Sequence, residues 1–124
     1  MPMSDPGSPT KIPIDTAGKR LYDQQVRCLL AADADRLVRE NYHPDATVQS
    51  FAWTVTGHDA LRAHFANYMR AVRILEVTST DAFTETPDSV SFEATLRTDG
   101  GVVRVYDVLM LRNGRIAFHF TGTR

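Results

Sequence analysis

Asp107 and His119 are the side chains of this sequence best suited to moving a proton. Asp107 sits alone within the apolar run VVRVYDVLML (residues 102–111), where the alternate positions Val103, Val105, Leu109 and Leu111 share its face of a strand. That face is expected to be buried. An unpaired carboxylate there costs several kcal/mol, comparable to the whole stability of a small domain, so it must be paired, protonated or lining a pocket. His119 lies in the last apolar stretch, IAFHF. Asp107 could orient and charge-stabilise this histidine, the side-chain type whose charge changes near neutral pH, and leave it to act as general acid or base. A carboxyl kept protonated in an apolar site has a different use: it donates a hydrogen bond to an enolate-like oxygen. A buried Asp-His or Asp-Arg pair with a purely structural role is the third reading.

Whether the two residues meet depends on the turn between their strands. If Arg112-Asn113-Gly114 forms a three-residue loop with Gly114 left-handed, Leu111 pairs with Arg115 and Asp107 lies directly opposite His119. If Asn113-Gly114 is a two-residue type I′ turn, Asp107 opposes Phe120 and His119 points to the other face. Asn-Gly suits both.

Other residues offer surfaces rather than chemistry. Val105 and Leu109 flank Asp107 on its face, and Phe65 belongs to a helical stripe; all three are candidates for a pocket wall. Trp53, beside Phe51 on an early strand, could form an aromatic wall, and Tyr22 could turn a phenol inward, although both types serve more commonly as packing. His43, before Pro44, and His58, at a helix start, read as surface or capping groups, while His64 points away from Leu61 and Phe65 and reads as solvated. The four histidines form no H-x-H or H-x-x-x-H pair, so no metal site is expected and the chemistry should be independent of cofactors.

The elements that would position these groups follow from the hydrophobic pattern. Residues 1–14 hold most of the prolines and predict a loose tail, with one domain over 15–124. Asp15 or Thr16 can cap a helix ending near Ala32, in which Leu21, Tyr22, Val26, Leu29 and Leu30 recur at helical spacing. A second, shorter helix runs from Asp33 to Tyr42 and stops before Pro44. Asp45 to Val55 reads as extended, and a capping box over Thr56–Asp59 opens a third helix with Leu61, Phe65, Tyr68, Met69 and Val72 as its stripe. Four strands follow, at about 73–80, 90–97, 102–112 and 115–121, separated by Pro87-Asp88, Gly100-Gly101 and Asn113-Gly114. The fold class is therefore α+β: three N-terminal helices packed on a curved antiparallel β-sheet whose open end can hold a ligand cavity.

Composition narrows the partners. The chain has 124 residues and a formal net charge of -1, from 14 Lys+Arg against 15 Asp+Glu, which gives no electrostatic footprint for nucleic acid or an anionic membrane. Cys28 is the only cysteine, so neither an internal disulfide nor a cysteine metal site is expected. No signal-like or membrane-spanning apolar run occurs, and a cytoplasmic location is the expectation.

The run NYHPDATVQSFAWTVTGHDALRAHFANYM, closed by the later N-G-R-I strand at Asn113–Ile116, resembles the nuclear transport factor 2-like superfamily in its SnoaL-like and ketosteroid-isomerase-like branch. The resemblance spans about Leu21 to Gly122. It implies a cone-shaped pocket and homodimerisation through sheet faces, here through the side carrying Arg104, Tyr106, Met110, Phe118 and Phe120. In ketosteroid isomerases an aspartate on the penultimate strand donates a hydrogen bond to the substrate oxyanion, and Asp107 matches its position. The isomerase base falls at Ser50, next to Gln49, and its oxyanion tyrosine falls near Gln25, so neither is matched. Polyketide cyclases and limonene-epoxide-hydrolase-like members place an acid where this chain has Thr121, and the latter use Arg-x-Asp where this chain has Arg104-Val105-Tyr106-Asp107, so neither pattern is matched. The alignment also points His119 inward, which favours the three-residue turn and an Asp107–His119 dyad.

The resulting expectation is a small cofactor-independent isomerase, cyclase or dehydratase. It would act by acid-base catalysis through Asp107 and His119 on a hydrophobic, steroid- or polyketide-like carbonyl compound. Tyr22, Gln25, Ser50, Trp53, Phe65, Val105, Leu109 and Thr121 would contact the substrate. The competing expectation is a non-catalytic module of the same fold that binds a small molecule or recruits a protein through its dimeric face.

Overall fold

A long-range clamp starts the first helix, α1 (Ala17–Leu30). Thr16 caps it by accepting the Lys19 N–H at 3.1 Å, and the carboxylate of Glu85, far along the chain, accepts from the Thr16 hydroxyl at 2.5 Å and the Gly18 N–H at 3.1 Å. A carboxylate at a helix N-terminus satisfies orphan N–H groups and complements the helix dipole. Gly18 permits this approach, because a Cβ there would collide with the Glu85 carboxylate. The computed structural model describes residues 12–124, so the expected tail lies almost wholly outside the described residues; Ile12 packs against the core.

Ala32 adopts a left-handed conformation after α1, and Asp33 caps α2 (Ala34–Asn41) by accepting the Arg36 N–H at 3.0 Å. The chain then turns directly into β1 (Tyr42–Gln49), so Tyr42 is the first strand residue rather than the last helical one. The single strand expected over Asp45–Val55 is broken at residues 50–53, where the Ser50 hydroxyl accepts from the N–H groups of Ala52 and Trp53 at 3.0 and 3.2 Å and folds the backbone back. A short β2 (Thr54–Thr56) pairs with β1. α3 (His58–Ala71) starts after Gly57, with φ 91° and no side-chain cap, so the capping box expected over Thr56–Asp59 does not form.

β3 (Ile74–Thr86), β4 (Ser89–Thr98), β5 (Gly101–Arg112) and β6 (Arg115–Thr123) make the expected meander, with β3 running longer than its sequence pattern showed. The sheet order is β2-β1-β6-β5-β4-β3. It is not antiparallel throughout: β6 returns beside β1 in the same direction, because the crossover through α3 leaves β2 and β3 pointing the same way and the four antiparallel pairings cancel. Three register shifts between β3 and β4 bend the sheet, as bulges do. Leu37, Val38, Tyr42, Val48, Leu61, Leu109 and Ile116 are fully buried between helices and sheet.

The last hairpin corrects both sequence-level registers. Arg112 pairs with Arg115, so Asn113-Gly114 is a two-residue turn, with φ of 53° and 77° as type I′ requires. The three-residue loop is absent. A register shift between Met110 and Leu111 then passes over Ala117, so that Leu109 pairs with His119 and Asp107 with Thr121. This bulge restores the parity that the short turn would have lost: Asp107 and His119 return to one face, as diagonal rather than directly opposed neighbours.

A Cβ on Gly114 meets nothing within 4 Å, so its substitution tests backbone conformation alone. Gly114→Ala should lower stability by about 1 kcal/mol, the cost of a left-handed L-residue, seen as a lower denaturant midpoint at unchanged slope.

Candidate active site

Between α1, α3 and the concave sheet lies a cavity of about 690 Å³. Tyr22, Gln25, Ser50, Trp53, Phe65, Val105, Asp107, His119 and Thr121 all line it, coming from both helices and three regions of sheet. Leu109 does not: it is fully buried in the core beneath the cavity floor. Among the described residues no Lys or Arg side chain lines the cavity.

Asp107 and His119 form a direct pair. His119 Nε2 lies 2.6 Å from Asp107 Oδ1, with the residues only 5 % and 8 % exposed. Of the outcomes that strand alternation left open, pairing is present, and the bulge at Ala117 delivers it. Behind it, Tyr42 Oη lies 2.8 Å from His119 Nδ1, so both ring nitrogens are engaged by protein and neither is open to a ligand. Asp107 differs. Its Oδ2 makes no hydrogen bond among the described residues, on a side chain that lines the cavity. The pair therefore offers a ligand one carboxylate oxygen rather than an imidazole.

Several polar groups of the wall are spent on structure. The Tyr22 hydroxyl is 2.7 Å from Thr80 Oγ1, and Gln25 donates to Tyr42 Oη at 3.1 Å while accepting from Asn41 Nδ2 at 2.6 Å. Ser50 holds the turn after β1, which leaves it no role resembling a base. The hydroxyl of Tyr68, on the α3 side of the cavity, makes no hydrogen bond among the described residues. Burial pushes the phenols of Tyr22, Tyr42 and Tyr68 above their ordinary range, and the negative charge of Asp107 adds to this, so all three remain hydrogen-bond donors at neutral pH. Among the described residues no group of three or more His, Cys, Asp or Glu is placed to hold a metal ion.

Three participants escaped the sequence reading. Asn41 ends α2, as the helical pattern predicts, whereas Tyr42, expected in that helix, begins β1, and this change turns its ring inward, onto Phe65 at 5.6 Å. The signal was present in Pro44, which restricts the residue before it to extended geometry and so draws the strand start upstream. His64, expected in solvent, is half-buried on the cavity wall and packs against Trp53 with ring centroids 4.3 Å apart.

Burial holds His64 below its ordinary value of 6.5. Its folded form therefore resists a proton that the unfolded chain accepts; the resulting loss of stability is absent above pH 6.5 and develops as pH falls through the window just below it. His64→Gln should flatten that part of the stability profile relative to wild type, measured as denaturant midpoints across pH.

The comparisons with known proteins agree with this architecture. The family model of the SnoaL-like domain matches residues 22–119. No curated protein matches the sequence. Among solved structures, one from Kribbella flavida DSM 17836 superposes with a TM-score of 0.74 at 16 % identity, covering 89 % of this chain and 88 % of that one. A protein of Sinorhizobium meliloti, provisionally named a polyketide cyclase, gives 0.70 at 18 % identity over 87 % of this chain and 100 % of its own. One from Agrobacterium tumefaciens str. C58, provisionally named an isomerase of the SnoaL-like family, gives 0.73 at 14 % identity over 89 % and 99 %. At such identities the structures speak for the fold alone, while the family model spans most of the described residues: the chain belongs to the SnoaL-like domain family.

Proposed function

We propose that this protein is a small acid-base enzyme of isomerase or cyclase type, acting without a cofactor on a hydrophobic carbonyl compound, steroid- or polyketide-like, in the cavity beneath the helices. One observation carries the reading: Asp107 is buried, held through Oδ1 by His119 at 2.6 Å, and has no protein partner for Oδ2 among the described residues. A carboxylate held by one oxygen, with the other open to an apolar cavity, is placed to take a proton from an activated C–H bond. In this scheme Oδ2 removes the proton and returns it to another position of the substrate. The Tyr68 phenol, unpartnered and kept protonated by burial, donates to the oxygen on which enolate charge develops. His119 positions the carboxylate instead of touching substrate. Phe65, Phe92 and Val105 provide apolar wall. With no Lys or Arg in the lining and a carboxylate at the centre, the substrate is uncharged at its reacting end.

The second reading is a binding module of the same fold, and Ser50 favours it: where ketosteroid isomerases carry their base, this chain has a hydroxyl committed to a turn. Deuterium loss from the activated position of enone and β-keto ligands separates the two. The enzyme should catalyse it, and Asp107→Asn should slow it by about 10²- to 10⁴-fold while leaving ligand binding in place. Binding without exchange in the wild type would leave only the module.

We place the working form in the cytoplasm as a homodimer joined through the outer sheet face. There Val108, Met110, Phe118 and Phe120 lie on adjacent paired strands, with the Met110 side chain exposed, while Tyr106, paired with Gly122, reaches the cavity lining. Phe120→Glu should shift the sedimentation coefficient to that of a monomer; a variant that sediments like wild type would remove this face from consideration.

A further inference from the structure

The buried hydrogen-bond chain behind the dyad has a direction, and that direction fixes where protons can be. Asn41 Nδ2 donates to Gln25 Oε1 at 2.6 Å, Gln25 Nε2 donates to Tyr42 Oη at 3.1 Å, and Tyr42 Oη lies 2.8 Å from His119 Nδ1. Tyr42 is fully buried and is not among the cavity-lining residues, so water does not substitute for a partner of its hydroxyl. Donor counting then proceeds in one sense. The Gln25 oxygen is occupied by Asn41, so its amide nitrogen faces Tyr42, whose oxygen accepts. The phenol proton is left with one acceptor among the described residues, His119 Nδ1. That nitrogen must be bare. The ring proton therefore sits on Nε2 and is donated to Asp107 Oδ1 at 2.6 Å.

We propose that Asn41, Gln25 and Tyr42 form a positioning relay that locks His119 as the neutral Nε2–H tautomer, which reserves Asp107 Oδ1 as an acceptor and leaves Oδ2 as the one site for a transferable proton. The catalytic consequence rests on the reading of Asp107 as the acid-base group; the tautomer does not. In the first half-reaction the substrate C–H bond breaks as an O–H bond forms on Oδ2; in the second that O–H bond breaks as the new C–H bond forms, and exchange of the Oδ2 proton with water between the two is what the deuterium assay reads. No proton enters the relay. An imidazolium would require Tyr42 Oη to accept a second hydrogen bond and would strand the phenol proton in a dry site, at the cost of an unsatisfied buried donor. The titratable groups facing the dyad are Tyr22 from α1, Tyr42 from β1, and His64 and Tyr68 from α3, all held neutral by burial, and no cation lines the cavity. In this arrangement the His119–Asp107 contact is a hydrogen bond from a neutral imidazole and not an ion pair.

The test is the ¹⁵N NMR signature of the His119 ring in the full chain near neutral pH. The expected spectrum has a protonated Nε2 and an unprotonated Nδ1; an Nδ1–H tautomer or an imidazolium overturns the relay. Gln25→Glu is nearly isosteric and replaces the donor facing Tyr42 by an acceptor. It should reverse the phenol and put a proton on Nδ1, with carbon-acid exchange falling roughly tenfold, the scale of lost outer-shell support. Wild-type tautomer in that variant would also overturn the proposal, and the wild-type spectrum decides even if the variant does not fold. A chain that shows the tautomer but exchanges no carbon acid would instead refute the proposed reaction and leave the relay standing.

Discussion

Burying a carboxylate without a cation is the constraint around which this fold is arranged. Water solvates a carboxylate through several donors at once, and a site that removes the water must supply donors of its own or accept protonation. Here the supply comes from a single imidazole, 2.6 Å away, whose orientation is in turn fixed by Tyr42, and Tyr42 by Gln25 and Asn41. The sequence of contacts runs from the sheet through β1 into both helices of the α1–α2 pair. Helix packing and the electrostatics of the site are consequently not separate matters: a shift of α1 against β1 would change what His119 can offer Asp107.

The hairpin between β5 and β6 shows how narrow the geometric tolerance is. Strand side chains alternate between faces, so one residue of slippage places His119 on the outer surface and leaves Asp107 alone inside. The tight Asn113-Gly114 turn imposes that wrong parity, and the bulge at Ala117 cancels it. Two local irregularities thus combine into a correct long-range contact. Bulges commonly re-aim side chains beside functional sites, and this one supplies the only donor that Asp107 has among the described residues.

Much of the architecture was legible because it depends on short-range patterns. Helical spacing in Leu21, Tyr22, Val26, Leu29 and Leu30 and strand alternation in Val90, Phe92, Ala94 and Leu96 mark elements that the structure contains. Asp107 was legible as well, since a charged residue on an apolar face violates the pattern that defines it. What the pattern could not carry was register. The Ala117 bulge leaves no mark in alternation, the Ser50 turn looks extended until its hydroxyl is seen to cap it, and the parallel pairing of β1 with β6 joins segments far apart in sequence. Tyr42 was missed for a related reason: at a junction where helix passes directly into strand, periodicity of either kind has too few residues to assign a face.

The difference between the two members of the dyad follows from counting bonds. A histidine and an aspartate in contact are usually read with the imidazole as the working base and the carboxylate behind it. That order needs an imidazole nitrogen open to the ligand, and His119 has none, because Tyr42 and Asp107 occupy both. The carboxylate has two oxygens and only one is used. The order is therefore inverted: the imidazole stands behind and the carboxylate faces the cavity. On the proposed reading this open oxygen is the base, and among the described residues no Lys or Arg lines the wall to neutralise it. An apolar wall is then more than a means of holding a greasy ligand, since each cation it omits is one that would have weakened the base.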